Sequence, residues 1–241
     1  MHKNIFMQSM REATAESAIT LTEQAVMRLR RDVTLGVFEP GKKLKLDELQ
    51  ALYGYSSSPL REALSKLSQE GLIRADERKG FRVADISRAD LEDITRMRLM
   101  LDVQALQSAM RCGDDEWEAA IVAAHYKLDK LERSLPEGPV VLDEGWSAAH
   151  QEFHLALLAA CDSPRLLQWC AHLFDQAERY RQISGRHRQG LRRKNDEHRR
   201  LMQAALKRDA DTACALLHDH ILGTQRNVTA ALRKMQDGPA D

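Results

Sequence analysis

Residues 36–83 read GVFEPGKKLKLDELQALYGYSSSPLREALSKLSQEGLIRADERKGFRV. Two runs with helical spacing of apolar residues lie in this stretch: a short one from about Leu46 to Tyr53, stopped by Gly54, and a longer one that ends at Gly71. Serine residues precede the longer run and Pro59 falls in its first turn, as is typical of a helix start. We therefore predict two successive helices. The segment GVFEPGKKL before them is predicted to be a turn.

The pattern changes on both sides of these two helices. After Gly71, the runs Leu72–Arg74 and Phe81–Val83 flank a basic RKG turn and predict two very short strands. Before the quoted stretch, apolar residues from Ile19 to Val33 recur at helical spacing. Helix, short helix, helix and hairpin is the order of a winged helix-turn-helix, in which the second helix of the pair enters the major groove of DNA.

From Ser87 onward the sequence is almost wholly helical. SRAD has the form of a capping box and opens a helix that runs to about Arg111. Further helices are predicted at about 114–134, 142–161, 164–184, 190–207 and 210–235. The predicted fold class is mainly α, with an N-terminal winged helix-turn-helix and a C-terminal antiparallel all-helical bundle. We place a flexible arm at 1–17, the winged domain at 18–86, the helical domain at 87–235 and a tail at 236–241.

The composition constrains the partners. Lys and Arg number 36, as do Asp and Glu, so a DNA-binding surface would have to be a local basic patch. The four cysteines form no CxxC pair, which is typical of a reducing cytosol. No apolar run is long enough to span a membrane. We therefore expect a cytoplasmic protein that does not bind membranes.

Candidate DNA contacts lie at the start of the second helix and in the basic turn. Hydroxyl and backbone N–H groups at a helix start can bind phosphate, and an arginine there can reach a phosphate or a guanine edge. The candidates are Ser56, Ser57, Ser58, Arg61, Arg78, Lys79, Gly80 and Lys45. On charge alone these could equally be ordinary solvated residues, because acidic side chains such as Glu62 and Glu77 lie among them.

Three elements of this stretch in order resemble the DNA-binding domain of the GntR family of bacterial repressors: the PG.KL turn, SPLREAL..L..EGL and the wing KGFRV. The resemblance implies a homodimer on palindromic double-stranded DNA, with one half-site for each recognition helix. It also implies that Arg61 contacts DNA and that Lys79 and Gly80 form the wing tip. Ser57 and Asp47 depart from residues common in the family, which leaves the operator sequence open.

Four of the nine histidines form a pattern. His150 and His154 in HQEFH are four residues apart and share one helix face, and His198 and His220 lie on two later helices. Antiparallel neighbours could bring all four into the bundle interior as a metal site. Imidazole ligands favour Zn, Ni, Cu or Fe over Mg or Ca. The alternative is that the HQEFH pair binds no metal.

The helical half resembles the FCD sensor domain of one GntR subfamily. Many FCD domains carry D..FH and a histidine on each of two later helices, and that aspartate and the three histidines bind a metal. His154, His198 and His220 match the three histidines, whereas His150 stands in place of the aspartate and leaves the site one negative charge short. The resemblance implies a divalent transition metal, Zn or Ni. The stretches AHQEFH and LFDQAERYR resemble those of family members that respond to glutarate.

A metal-containing cavity with nearby arginines would suit a small organic acid, and we favour a dicarboxylate effector. Arg98 and Asp102 are four apart and resemble the R..LE pattern of the first FCD helix, whose arginine often points into the pocket. Arg98 is the first candidate to bind a carboxylate, and Asp102 is assigned to the effector site with it. Arg179, Tyr180 and Arg181 are further candidates. The alternative for Arg98 is a simple ion pair with Asp102.

These expectations define a transcription regulator that is not an enzyme. We predict a repressor whose DNA affinity is controlled by a carboxylate bound in a metal-containing helical domain. Two other functions remain open from the sequence: a helical metalloenzyme that uses the histidines, and a dimeric adaptor with a vestigial winged domain.

Overall fold

The computed structural model describes residues 19–76, 80–134, 143–186 and 196–236. These residues fall into two units. The first contains residues 19–31 and Lys42–Val83, and the second contains Asp32–Gly41 and residues 84–236. Among the described residues, no helix combines the length and the apolar character that a membrane crossing requires.

The N-terminal unit contains the predicted helices and strands. In chain order its elements are α1 (Leu21–Thr34), β1 (Lys43–Leu44), α2 (Leu46–Tyr53), α3 (Ser57–Gln69), β2 (Ile73–Asp76) and β3 (Gly80–Val83). Gly54 ends α2 in the left-handed conformation, with φ of 75°, which glycine adopts without a steric penalty. The buried face of α3 consists of residues at helical spacing: Leu60, Ala63, Leu64 and Leu67.

The small sheet contains one strand more than predicted. Its order is β1-β3-β2, and both pairs are antiparallel. The prediction of a turn throughout GVFEPGKKL was wrong at its end, because Lys43 and Leu44 pair with Arg82 and Phe81. A strand of two residues is too short to show an alternating pattern, and only the pairing with β3 defines it.

The C-terminal unit is helical throughout its described residues. Its helices are α4 (Arg88–Cys112), α5 (Asp115–Ser134), α6 (Glu144–Leu158), α7 (Pro164–Arg186), α8 (Glu197–Leu206) and α9 (Ala210–Gln236). The predicted cap at Ser87 is confirmed, since Ser87 Oγ accepts a hydrogen bond from the Asp90 backbone N–H at 3.1 Å. The return bond of a capping box is absent from the described contacts, because the Ser87 N–H donates to the Tyr180 hydroxyl instead of Asp90. The predicted helix from about 190 begins at Glu197, and residues 187–195 lie outside the described part of the chain.

Helix pairing determines where the functional side chains meet. α5 packs on α6, α4 packs on α7 and α9, and α9 also packs on α8. The main hydrophobic core includes Leu106, Ile121, Leu128, Phe153 and Leu157, all almost fully buried. Because α6, α8 and α9 all face this interior, polar residues on their inner faces are brought together in the bundle.

Candidate metal and effector site

The four histidines predicted from the sequence meet inside the helical unit. α6 contributes His150 and His154, α8 contributes His198 and α9 contributes His220. One potential ligand atom from each lies within 4.8 Å of all the others. The Nε2 atoms of His150 and His154 are 3.1 Å apart. We call these four residues the histidine cluster.

Burial keeps three members of the histidine cluster neutral. It lowers the pKa of His150 and of His154 well below the ordinary histidine value, and the positive charge of neighbouring groups lowers both further. Burial also lowers the pKa of His220 to about 4, although the Glu197 carboxylate opposes the shift. Because a metal ion binds the neutral imidazole, these residues are in the ligand form at physiological pH.

The residues behind the cluster differ in charge. The Nδ1 atom of His220 lies 3.0 Å from Glu197 Oε2, and that of His198 lies 3.5 Å from Glu132 Oε1. In contrast, Nδ1 of His150 lies 2.6 Å from Arg181 Nη1. Two histidines are therefore backed by carboxylates and one by a guanidinium group.

The cluster fits a metal ion that prefers nitrogen ligands. Nε2 of His198 is buried and has no hydrogen-bond partner among the residues that the structure describes. An unsatisfied buried nitrogen is costly unless something fills its place. Four converging imidazoles are a donor set for Zn²⁺, Ni²⁺, Cu²⁺ or iron and a poor one for Mg²⁺ or Ca²⁺. The residues present thus fit the kind of metal that the sequence predicts.

Arg98 and Asp102 form a buried ion pair beside the histidine cluster. Arg98 Nη2 lies 2.8 Å from Asp102 Oδ2, and both side chains are about 95% buried. The second oxygen, Asp102 Oδ1, is buried without a partner in the described residues. A small cavity adjoins the pair, and its lining includes Arg98, Asp102, His154, Cys170, Phe174 and Leu217. Arg98 therefore lines the cavity even though it is paired with Asp102.

Arg181 also lies close to Phe174. The guanidinium carbon atoms of Arg98 and Arg181 are 5.0 and 5.4 Å from the Phe174 ring centre. Arg181 also pairs with the buried Glu178 at 2.9 Å. Its Nε atom is buried. Two arginines therefore flank the cluster from α4 and α7.

The structure places Tyr180 away from the histidine cluster. Its ring is fully buried, and its hydroxyl lies 2.6 Å from Asp90 Oδ2 and 3.0 Å from the Ser87 backbone nitrogen. The neighbouring Arg179 donates a hydrogen bond to the Ala84 carbonyl oxygen. Tyr180, predicted as an effector ligand, instead holds the start of α4.

Several site residues were not predicted from the sequence. Trp146 stacks on His150 with ring centres 4.5 Å apart, and its Nε1 donates to Glu132 Oε1 at 3.3 Å. Trp146 lies four residues before His150, and this spacing could have identified it. Glu197 directly precedes His198 but contacts His220, so sequence proximity would have assigned it to the wrong histidine. Nothing in the local sequence identifies Glu132.

In the N-terminal unit, the predicted DNA contacts on α3 and before α2 are exposed. They are Ser56, Ser57, Ser58, Arg61 and Lys45, and Gly80 at the start of β3 is exposed as well. Ser58 Oγ donates to Glu62 Oε1 at 3.2 Å, and Lys45 pairs with Glu48 at 2.7 Å. Arg78 and Lys79 lie outside the described residues.

Comparison with known proteins finds similarity in both units. Residues 21–83 match the family model of bacterial regulatory proteins of the gntR family, and residues 93–223 match the FCD domain. The chain is 35% identical over 202 residues to the uncharacterized HTH-type transcriptional regulator BphR of Paraburkholderia xenovorans (strain LB400), covering 84% of this chain and 82% of that one. It is 39% identical over 198 residues to the HTH-type transcriptional repressor GlaR of Escherichia coli (strain K12), covering 80% and 89%. The solved structure of E. coli McbR/YncC superposes with a TM-score of 0.70 at 19% identity, covering 90% and 99%, which shows a shared fold.

Proposed function

This chain belongs to the GntR family of bacterial regulatory proteins with an FCD domain, and on that basis we propose that it is a repressor controlled by a small dicarboxylate. It is a transcription regulator and not an enzyme, as its family and relatives are. The position of Glu152 agrees with this. The residue is an acid within HQEFH, but it pairs with Lys127 on the outer side of α6 and cannot act as a base at the histidine cluster.

The N-terminal unit is proposed to bind a palindromic operator as part of a homodimer. Arg61 projects from α3 with the exposed serines at the helix start, where backbone N–H groups and the helix dipole favour a phosphate. Lys45 and Gly80 are proposed as further contacts, together with Arg78 and Lys79. A two-fold dimer would present two such helices to two half-sites.

The C-terminal unit is proposed to hold Zn²⁺ or Ni²⁺ through His150, His154, His198 and His220. The observation that supports this is the convergence of four imidazoles in the bundle interior, with Nε2 of His198 without a hydrogen-bond partner among the described residues. When bound, the ion would supply a Lewis acid that attracts a carboxylate oxygen. The protein itself supplies the buried ligand set and the cationic groups around it.

The effector is proposed to be a small dicarboxylate held beside the cluster by Arg98 and Arg181. The single observation that carries this proposal is the cavity next to His154, which Arg98 and Asp102 line. It has room for about one water molecule, so a dicarboxylate would have to widen it to reach Arg181, which is not part of its lining. A guanidinium group binds a carboxylate by paired hydrogen bonds, and a buried site strengthens such bonds. Two arginines close to Phe174 favour a ligand with a carboxylate at each end over a monocarboxylate.

Three consecutive residues of α7 provide a route from the effector to the chain segment that follows the winged domain. Arg181 touches His150, Tyr180 holds Ser87 and Asp90, and Arg179 holds Ala84. Ala84 directly follows Val83, the last residue of β3. We propose that an effector which shifts α7 displaces residues 84–87 and so changes operator affinity. The effector can do this only if it binds the two conformations with unequal affinity.

A thermal-shift titration tests the sensor. The purified protein is heated with succinate, glutarate, adipate or acetate, with and without prior removal of metal by a chelator. Ligands that bind the folded state raise the melting temperature by mass action. The proposal expects a selective rise with a dicarboxylate that disappears after chelation. A rise that survives chelation would contradict the role of the metal, and no rise with any acid would contradict the proposed effector class.

A further inference from the structure

Two carboxylates contact the histidine cluster, each at the Nδ1 atom of a different histidine. We propose that Glu132 and Glu197 are positioning residues of the metal site: they orient His198 and His220 and supply the negative charge that His150 does not provide. The inference rests on the proposed metal site and extends it to residues outside the set of ligands.

Contacts at the Nδ1 atoms support this role. Glu197 Oε2 lies 3.0 Å from Nδ1 of His220, within hydrogen-bond distance, and Glu132 Oε1 lies 3.5 Å from Nδ1 of His198. A carboxylate only accepts hydrogen bonds, so Glu197 places the ring proton of His220 on Nδ1 and leaves the lone pair on Nε2, and the charge of Glu132 favours the same tautomer of His198. Nε2 of His198 is the buried nitrogen that has no hydrogen-bond partner in the described residues. This is the arrangement in which an outer carboxylate fixes a metal-binding histidine and makes it a stronger ligand.

His150 has the opposite environment. Arg181 Nη1 lies 2.6 Å from its Nδ1, and a guanidinium group can only donate. Nδ1 of His150 is therefore the acceptor in the metal-free protein and the ring proton is on Nε2, so His150 can bind a metal only after it releases Arg181 or that proton. His150 brings no negative charge, and the cation behind it disfavours a second cation nearby. The charge that attracts a divalent ion must come from elsewhere, and Glu132 and Glu197 are the carboxylates in contact with cluster histidines.

The environment of Glu132 links it to a second histidine. The indole N–H of Trp146 donates to Glu132 Oε1, and the indole ring stacks on His150 at 4.5 Å. The Glu132 side chain is only 20% exposed, which limits screening of its charge by water. The Glu197 side chain is 44% exposed but makes the shorter contact. Each carboxylate acts through a different histidine, so their effects on metal affinity should accumulate.

Zn²⁺ affinity of the full-length protein tests the proposal. Metal-free wild type, Glu132→Gln, Glu197→Gln and the double variant are titrated with Zn²⁺ in competition with a chromophoric chelator. Glutamine keeps the shape and can still accept a hydrogen bond, but it removes the charge. Glu152→Gln is the matched control, because Glu152 is a carboxylate on α6 that pairs with Lys127 and does not touch the cluster.

We expect each of the first two substitutions to weaken Zn²⁺ binding by about 10- to 100-fold, as outer-shell changes do, and the double variant to lose more. Glu152→Gln should match the wild type. The visible spectrum of the Co²⁺ form should keep its shape, since the ligand atoms are unchanged, and the melting temperature of the metal-free protein should change little. The unchanged spectrum and melting temperature separate a positioning role from a loss of structure.

Two results would overturn the inference in different ways. If Glu132→Gln and Glu197→Gln bind Zn²⁺ as tightly as Glu152→Gln, the carboxylates do not support the site, although the metal site itself stands. If the wild type does not bind Zn²⁺, the proposed metal site is wrong and this inference fails with it.

Discussion

Replacing Tyr180 with Phe removes one hydroxyl from a fully buried ring and keeps its shape. That hydroxyl lies 2.6 Å from Asp90 Oδ2, 3.0 Å from the Ser87 backbone nitrogen and 3.2 Å from the Ser87 carbonyl oxygen. Burial raises the pKa of Tyr180, so the hydroxyl keeps its proton over the whole working range of pH. The change therefore tests how firmly α7 holds the start of α4.

The size of the effect follows from counting these bonds. A hydroxyl has one proton, which it donates to Asp90, the nearer acceptor, and it accepts one bond from the Ser87 N–H. A bond to a charged acceptor contributes about 1.5–3 kcal/mol and a neutral one about 1 kcal/mol. We expect Tyr180→Phe to lower the free energy of unfolding of the C-terminal unit by about 2–4 kcal/mol.

Urea unfolding followed by tryptophan fluorescence measures this change in the right unit, because Trp117, Trp146 and Trp169 all lie in the C-terminal unit. Tyr126→Phe is the matched control, since Tyr126 is 66% exposed and the change should stay within about 0.5 kcal/mol. In the proposed coupling, Tyr180→Phe also keeps effector binding and weakens its influence on operator affinity. If Tyr180→Phe and Tyr126→Phe are equally stable, the Tyr180 hydroxyl does not stabilise the start of α4.

Three further predictions concern DNA binding, pH and metal affinity. Arg61→Ala should weaken operator binding by about 10- to 100-fold in a fluorescence anisotropy titration, while Lys66→Ala, further along α3, should cost less; equal losses would contradict the assignment. Because the unfolded chain takes up a proton that buried His220 does not bind, the metal-free protein should lose stability as pH falls from about 6.5 towards 4. His220→Gln should flatten this urea-unfolding profile by about 1.4 kcal/mol per pH unit, and an unchanged slope would show that His220 keeps an ordinary pKa in the folded protein. His150→Asp should raise Zn²⁺ affinity by about tenfold or more in the chelator competition, because it adds a negative ligand, whereas His218→Asp on the exposed side of α9 should not; equal effects would contradict a ligand role for position 150.

Local patterns identified most of the fold. The two helices of the helix-turn-helix were predicted from the serines before Pro59 and from Gly54, which is left-handed in the structure. The SRAD pattern marked the start of α4. Strand β1 was missed because its pairing with β3 involves residues that are distant in sequence. Sequence patterns report on neighbouring residues, whereas a two-residue strand is defined by its partner.

The histidine cluster was predictable because its four members carry unusual chemistry at a recognisable spacing. The residues behind the cluster were not. Glu132 reaches His198 from another helix, and Arg181 reaches His150 across the contact of α7 with α6. Their positions depend on how the helices pack, which periodicity alone does not give. The same limit applies to Tyr180, which was predicted to bind the effector. The direction of its side chain follows from contacts with Ser87 and Asp90, which the sequence does not show.

The most direct test of the central claim is the affinity of the Zn²⁺-loaded protein for DNA from the promoter next to its own gene, measured across a titration with glutarate. We predict sequence-specific binding that weakens as the dicarboxylate saturates the sensor. The DNA affinity of the Arg98→Met variant should change far less over the same glutarate titration. Specific binding that stays constant through saturation would contradict control by a carboxylate, and an absence of specific binding would contradict the repressor itself.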